Sequence, residues 1–234
     1  MIRVLAACLL LAACEAQPTP PAPPPADRFP SVERPVADIV SAQFSDEESR
    51  ERLGEAGQVM DLMGIAAGDV VADIGAGRGY YTVRLAERVG PGGRVYAEDI
   101  IADTVDQLKG RVHAGGLANV TVILGTPDNP SLPAASIDHA LLIHMYHEIE
   151  NPYALLWHLR SSLKDGASIG IVDADRPTKN HGTPPWLLRC EVAAIGLAET
   201  GIHQLGDGVS YLAIFKAARP RPRPLDIEPC RSGQ

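Results

Sequence analysis

The sequence is poor in cysteine, in aromatic residues and in basic charge, and each shortage excludes a class of protein. The four cysteines form no CxxC pair and no zinc-ligand spacing, which excludes a cysteine-based zinc module. Lysine and arginine total 21 against 29 aspartates and glutamates, so the formal net charge of -8 argues against a general affinity for nucleic acid. Aromatic residues are 5% of the chain, so the core must be largely aliphatic, as in a buried parallel sheet.

The N-terminal segment has the pattern of a targeting signal and a spacer rather than of a folded element. Arg3 precedes an apolar run, Val4 to Ala13, that is too short to span a bilayer. The run ends in Leu11-Ala12-Ala13-Cys14, which resembles a bacterial lipoprotein lipobox, in which the cysteine is lipidated and becomes the mature N-terminus. We therefore predict a signal peptide over 1–13, a proline-rich linker over 14–35 and lipid anchorage at the cell envelope through Cys14. If the lipobox match is fortuitous, the protein is cytoplasmic.

Strand and helix patterns alternate from residue 36 to residue 218 and predict a single α/β domain. Buried strands are expected at 70–74, 94–100, 120–124, 137–143 and 168–172. A capping box at Ser45 opens a helix that breaks near Gly54 or Gly57, and Asn151-Pro152 caps another. The Asp165-Gly166 turn precedes the fifth strand, and a helix opened by Pro184 runs to about Glu199.

The last two predicted strands, 202–205 and 209–215, are joined by three residues, which requires an antiparallel pair. The pattern thus predicts a Rossmann-like, doubly wound mixed sheet of seven strands, with the last strand antiparallel and helices on both faces. Residues 219–234, rich in proline and arginine, are expected to form a solvated tail. Cys190 is interpreted either as a small buried side chain or, if the domain is exported, as a disulfide partner of Cys230.

A glycine-rich turn after the first strand is the strongest sign of a ligand site. It reads Asp73-Ile74-Gly75-Ala76-Gly77-Arg78-Gly79-Tyr80, with GxGxG rather than GxGxxG spacing. Glycines at this position let a ligand approach the backbone closely. A carboxylate at Asp73 would repel a dinucleotide pyrophosphate but attract a cationic methionine group. This disfavours an NAD-linked oxidoreductase, the first alternative function.

An acidic pair, Glu98-Asp99, ends the second strand. A carboxylate there can accept hydrogen bonds from both hydroxyls of a ribose. Because side chains alternate along a strand, Asp99 is predicted to face the ligand and Glu98 the opposite side of the sheet.

These motifs make residues 52–216 resemble a class I S-adenosylmethionine-dependent methyltransferase, in particular a bacterial group of predicted methyltransferases with undefined substrates. The resemblance continues through Gly125-Thr126-Pro127-Asp128, Tyr146-His147-Glu148-Ile149, Leu163-Lys164-Asp165-Gly166 and His181-Gly182-Thr183-Pro184-Pro185. It implies S-adenosyl-L-methionine as cofactor and methyl transfer to a small or medium-sized acceptor molecule. The second alternative is a non-catalytic cofactor-binding or envelope scaffold domain that retains the fold.

The resemblance also assigns the cofactor-binding residues. Asp73, Gly75 and Gly77 would surround the methionine moiety, and Asp99 would hold the ribose. Thr126, Pro127 and Asp128 lie where the class contacts adenine. His144 ends the fourth strand, where many relatives carry Asp or Asn. The predicted cofactor site is completed by Ala76, Gly79, Tyr80 and Ile100.

Candidate acceptor-side residues follow the fourth and fifth strands, where a doubly wound sheet binds its substrates. Tyr146, His147 and Glu148 are the predicted catalytic residues, with Asp173 and His181 as further candidates. His147 ranks first, because a neutral imidazole is a usable base near neutral pH. Although His144, His147 and Glu148 are close in sequence, they lack the HExxH order, and we predict no catalytic metal.

Overall fold

The computed structural model describes residues 28–39 and 47–231. It confirms a seven-stranded sheet in the order β3-β2-β1-β4-β5-β7-β6. The strands are β1 Val70–Ile74, β2 Arg94–Asp99, β3 Val120–Leu124, β4 Ile137–Ile143, β5 Leu163–Ala174, β6 Leu197–Gln204 and β7 Ser210–Ala217. Strand β7 is antiparallel to both of its neighbours, as predicted.

The helices cover both faces of the sheet. They are α1 Glu47–Leu53, α2 Glu55–Met63, α3 Tyr80–Val89, α4 Ala102–Ala114, α5 Pro152–Ser162 and α6 Pro185–Ala194. Apolar side chains of α2 and α3 form one core with β1 and β2, and those of α5 and α6 form a second core on the opposite face. Short 3-10 turns follow β4 (Tyr146–Glu148) and β5 (Thr178–Asn180). Within the described residues, no helix is long and apolar enough to be a membrane span.

Local signals place several helix ends correctly. Gly54 adopts a φ of 63° and separates α1 from α2, as expected of a residue without a side chain. The Asn151 side chain accepts a hydrogen bond from the Ala154 amide at 3.1 Å and caps α5. Ser45 of the expected capping box lies outside the described residues.

Two predicted boundaries are wrong, one at the end of α6 and one at the beginning of β5. The helix expected to reach Glu199 ends at Ala194, because Gly196 turns the chain with a φ of 79° and β6 begins at Leu197. The turn expected at Asp165-Gly166 lies within β5, which begins at Leu163. Leu197 pairs with Ala217 of β7 and Leu163 pairs with Ile137 of β4, and neighbouring residues in sequence do not encode either pairing.

Residues 28–39, the N-terminal strap, pack against the domain. Phe29 is buried beside Trp157, and the Arg34 guanidinium forms a buried ion pair with Glu191 of α6 at 2.8 Å. The Ala37 amide donates to the His147 carbonyl at 3.1 Å. The Thr178 hydroxyl donates to the Pro35 carbonyl at 2.6 Å. The strap thus fastens both 3-10 turns to α6, and packed residues precede the predicted domain limit at residue 36.

The C-terminal segment also packs, which contradicts the expected solvated tail. The Trp157 indole donates to the Pro222 carbonyl at 2.8 Å, and the Arg221 guanidinium stacks on the same ring. Ile227 is buried in the core that contains α5 and α6. A disulfide joins Cys230 to Cys190 of α6, so Cys190 is not a free buried thiol. Alternating prolines and arginines are typical of a solvated segment, so the sequence does not predict these tertiary contacts.

Candidate active site

The strand order reverses between β1 and β4, and the predicted site residues gather at the carboxyl ends of the strands around this point. The glycine turn after β1 leads directly into α3. Gly77 has a φ of 56°, and its amide donates to the Asp99 carboxylate at 3.0 Å. The Ala76 amide donates to the Glu98 carbonyl at 2.8 Å. Backbone hydrogen bonds therefore hold the glycine turn against the end of β2.

Asp99 and Glu98 have different surroundings, although both carboxyl groups approach amides of the glycine turn, at Gly77 and at Gly75. The two Asp99 carboxylate oxygens accept from the Gly77 and Ile101 amides, at 3.0 and 2.9 Å. Glu98 is buried with one oxygen 3.4 Å from the Gly75 amide, and its other oxygen has no hydrogen-bond partner among the described residues. Burial, and to a lesser extent the nearby charges of Asp99 and Asp73, raise the pKa of Glu98 to about 8.

Asp73 lies beneath the glycine turn, with 2% of its surface exposed. Its carboxylate accepts the Thr82 hydroxyl at 2.6 Å and so links β1 to α3. Burial raises the pKa of Asp73 to about 6. A cationic group bound nearby would stabilise its ionised form.

The expected adenine side is a partly apolar surface beyond β2 and β3. Ile100 and Leu124 are large apolar residues that remain 37% and 52% exposed at the ends of adjacent strands. The Gly125 amide donates to the Asp99 carbonyl, and Thr126 forms a tight turn with Asn129. Pro127 and Asp128 lie within this turn, and burial, with the charge of Glu150, raises the pKa of Asp128. Exposed apolar side chains next to the Asp99 carboxylate provide a surface on which a flat heteroaromatic ring could pack.

His144 connects the end of β4 to the helices before β1. It has a left-handed backbone, with φ 54°, and its Nε2 lies 2.9 Å from the Glu55 carboxylate of α2. Burial of Glu55 opposes its ionisation, but His144 and Arg50 outweigh that effect and lower its pKa to about 2. Arg50 also stacks on the ring of Tyr80, a predicted cofactor residue at the start of α3. His144 therefore connects the end of β4 to α2, next to the glycine turn.

His147 is held by a buried carboxylate. Its Nδ1 lies 3.0 Å from both oxygens of Asp173, which is fully buried at the end of β5. Asp173 also accepts the Thr183 hydroxyl at 2.7 Å. Because a carboxylate can only accept, the Nδ1 carries the hydrogen, and the Nε2 lone pair points away from Asp173. No sequence pattern predicts the Thr183 contact beyond the place of this residue in the His181–Pro185 segment.

The other acceptor-side candidates separate into two groups. Tyr146 is fully buried within the core that contains α5 and α6, and the Arg34 guanidinium lies over its ring. This placement indicates packing rather than contact with an acceptor. Glu148 and His181 instead approach His147: a Glu148 oxygen lies 3.9 Å from its Nε2, and the two imidazole rings meet edge to face at 5.4 Å.

Comparisons with known proteins agree with this geometry. Residues 71–166 match the family described as a methyltransferase domain. A protein-L-isoaspartate O-methyltransferase of Ignicoccus hospitalis is 36% identical over 93 residues, which cover 40% of this chain and 43% of that protein. The aklanonic acid methyltransferase DauC of Streptomyces is 30% identical over 132 residues, 56% of this chain and 58% of that protein. The matched region is therefore less than two thirds of either relative.

Solved structures support the same fold across the domain. A SAM-dependent methyltransferase from Aquifex aeolicus superposes with a TM-score of 0.67 at 24% identity, covering 73% of this chain and 98% of that one. The [4+2]-cyclase SpnF superposes at 0.63 with 12% identity, covering 82% and 90%. The chain therefore has a Rossmann-like fold that it shares with these proteins, and residues 71–166 are similar to the methyltransferase-domain family.

Proposed function

We propose that the protein transfers a methyl group from S-adenosyl-L-methionine to a small or medium-sized acceptor molecule. The observation that carries this proposal is the Asp99 carboxylate, held by the Gly77 and Ile101 amides beside the glycine turn. Each carboxylate oxygen has a further lone pair for a ribose hydroxyl. The exposed apolar side chains of Ile100 and Leu124 adjoin this carboxylate and suit adenine.

The residues of the chain fit the cofactor in charge as well as in shape. Asp73 offers a negative charge near a methionine ammonium or sulfonium, and the glycine turn leaves its backbone open to close approach. When bound, the cofactor supplies a methyl group that is already activated by its positive sulfur. The task left to the protein is to align the acceptor and exclude water.

On the acceptor side, we assign the main role to His147. During transfer the sulfur–carbon bond breaks as the acceptor–carbon bond forms, and the acceptor's proton must leave. With Nδ1 fixed by Asp173, the Nε2 of His147 can take that proton. Glu148 lies beside this nitrogen, whereas the buried Tyr146 contributes packing.

We further propose that the protein is lipid-anchored at the cell envelope through Cys14. Cys14 lies outside the described residues. The disulfide between Cys190 and Cys230 supports this proposal, since structural disulfides persist mainly in oxidising compartments.

Titration calorimetry tests the cofactor assignment. We expect S-adenosylhomocysteine to bind and NAD not to bind. Asp99→Ala should weaken S-adenosylhomocysteine at least about tenfold, since each hydrogen bond to a charged group contributes about 1.5–3 kcal/mol. Asp103→Ala, an exposed change on α4, is the matched control. Unchanged affinity in Asp99→Ala would remove Asp99 from the site.

The alternative function is cofactor binding without methyl transfer. The departure at His144, where many methyltransferases of this class carry Asp or Asn, and the predicted export signal motivate this non-catalytic alternative. Incubation of the protein with methyl-labelled cofactor and cell metabolites separates the two. A labelled product supports the transferase; tight cofactor binding with no labelled product across the metabolite pool supports the alternative.

A further inference from the structure

Three potential ligand atoms converge beside β4 and β5 from separate parts of the chain. One atom each from His147, Glu148 and His181 lies within 4.8 Å of the other two. His147 and Glu148 belong to the 3-10 turn after β4, whereas His181 follows the turn after β5. This is the only such group in the part of the chain that the structure describes. We propose that these three residues bind a divalent transition-metal ion, with Zn²⁺ as its simplest representative.

The donor set has the chemistry of a catalytic rather than a structural metal site. Two histidines and one glutamate are a known set of zinc ligands, and three protein ligands leave a position open for water or substrate. Donors of a tetrahedral Zn²⁺ site lie about 3.4 Å apart, given metal–ligand distances of about 2.0–2.2 Å. The 3.9 Å between His147 Nε2 and Glu148 is close to that separation. Small rotations of the partly exposed Glu148 and His181 side chains would bring the donors into contact with an ion.

A buried carboxylate, Asp173, already holds the ring of His147. Metal-bound histidines commonly donate their other ring nitrogen to a carboxylate, which fixes the tautomer and makes the free nitrogen a better ligand. Asp173 provides that carboxylate, and it is held in turn by the Thr183 hydroxyl and the Ala174 amide, at 2.7 and 2.8 Å. The Nε2 lone pair of His147 is thereby directed toward Glu148 rather than toward Asp173.

His181 reaches the group from an unusual backbone conformation. Its φ of 55° lies in the left-handed region, which is uncommon for a residue with a side chain. Such conformations persist where the surrounding structure holds them, and they concentrate at functional sites. The conformation turns the His181 ring edge to face against the ring of His147.

The ion would deepen the proposed function, and this step rests on it. The open coordination position of the ion would take an acceptor through its hydroxyl oxygen and lower the pKa of that hydroxyl, so that its proton passes to bulk water near neutral pH. The acceptor class is then a hydroxyl compound. His147 would serve as a ligand instead of a base, because both roles use the same Nε2.

The test is a Zn²⁺ titration of the full chain after a chelator has removed any bound metal. All samples carry Cys8→Ser and Cys14→Ser, which remove the two thiols outside the described residues. We expect one tightly bound Zn²⁺, with affinity lowered at least about 100-fold in His181→Ala and in Glu148→Gln. Thr183→Val, which acts through Asp173, should lower the affinity about 10–100-fold. His113→Ala and Glu228→Gln remove exposed side chains of the same types elsewhere and should leave the affinity unchanged. The visible absorption of bound Co²⁺ should change in the two ligand variants only.

Calorimetry with S-adenosylhomocysteine on the same samples separates this proposal from the proposed function. Wild-type protein that binds S-adenosylhomocysteine but no Zn²⁺ overturns the metal site and leaves the methyltransferase proposal standing. Equal Zn²⁺ affinity in wild type and in both ligand variants likewise overturns the site. Zn²⁺ binding that depends on His181 and Glu148 in a protein that does not bind S-adenosylhomocysteine supports the metal site and contradicts the proposed function.

Discussion

At the end of β2, two adjacent carboxyl groups have opposite surroundings. Asp99 accepts two backbone amides, whereas Glu98 is buried with one weak amide contact and one oxygen without a partner in the described structure. Burial therefore favours the protonated form of Glu98. Of these two adjacent residues, Asp99 is suited to accept hydrogen bonds from a ligand, whereas Glu98 stays protonated and neutral near pH 7.

The raised pKa of Glu98 predicts how stability depends on pH. The folded protein retains a proton up to a pKa of about 8, whereas the ordinary value is 4.5. Between these values the unfolded chain releases that proton first, so stability should fall as pH rises. The raised pKa of Asp73 predicts a further loss of stability with rising pH, and this loss is complete near its pKa of about 6. Above pH 6, the fall should come mainly from Glu98.

Glu98→Gln should remove most of the fall in stability between about pH 6 and pH 8.5. Urea denaturation midpoints at the two pH values measure the effect. Glu87→Gln, an exposed change on α3, should retain the wild-type fall. The same pH dependence in Glu98→Gln and wild type would contradict a protonated, buried Glu98.

Among the structural elements, the N-terminal strap carries a buried ion pair. The side chains of Arg34 and Glu191 are 5% and 1% exposed, and Arg34 also donates to the Ile149 carbonyl at 3.3 Å. The strap therefore ties α6 to the segment that carries His147 and Glu148. Its sequence, mostly polar residues and prolines, resembles a linker more than a folded element.

Arg34→Ala should lower the free energy of unfolding by about 3–5 kcal/mol, because it leaves the buried Glu191 carboxylate without its partner. Chemical denaturation followed by circular dichroism measures the loss. The matched change Arg52→Ala breaks an exposed pair with Glu48 and should cost less than about 1 kcal/mol. A small effect at Arg34 would mean that the strap is not fixed by this ion pair.

How well the sequence predicts each element depends on the range of the interaction that determines it. Gly54 and Asn151 act on their own neighbours: the cap of α5 at Asn151 is confirmed, and the break between α1 and α2 falls at Gly54, one of the two predicted positions. The beginning of β6 at Leu197 depends on pairing with β7, and the predicted helix ran past it. The sequence analysis singled out the segment that contains His181 and Thr183. Their approach to His147 and Asp173, however, depends on how two loops fold together. Long-range pairing is not encoded in periodicity.

For the whole molecule, the disulfide between Cys190 and Cys230 closes a segment with a sequence separation of 40 residues. Cross-linking that segment restricts the unfolded chain, and bonds of this kind contribute about 2–4 kcal/mol. Reduction with a thiol should therefore lower the thermal unfolding midpoint. The Cys190→Ser, Cys230→Ser variant should match the reduced protein and show no response to the reductant. A wild-type midpoint that the reductant does not change would count against the bond.

The anchor proposed at Cys14 makes a separate prediction about the whole molecule. Cys14→Ser should release the protein from membranes, since the thioether-linked lipid forms only at a cysteine. Fractionation of expressing cells, together with labelling by a fatty-acid probe, measures this. Cys8→Ser is the control and should remain membrane-bound. Equal retention of wild type and Cys14→Ser, with no probe incorporated, would show that the lipobox match is fortuitous.

The N-terminal strap also determines how the domain responds to mechanical force. Tension on the chain ahead of residue 28 passes first into the contacts of the strap: Arg34 with Glu191, Pro35 with Thr178 and Ala37 with His147. The load is therefore borne by α6 and by the two loops that carry His147, Glu148 and His181, before it reaches the glycine turn. A pull on the chain ahead of residue 28 would therefore displace the loops of His147, Glu148 and His181 before it displaced the glycine turn.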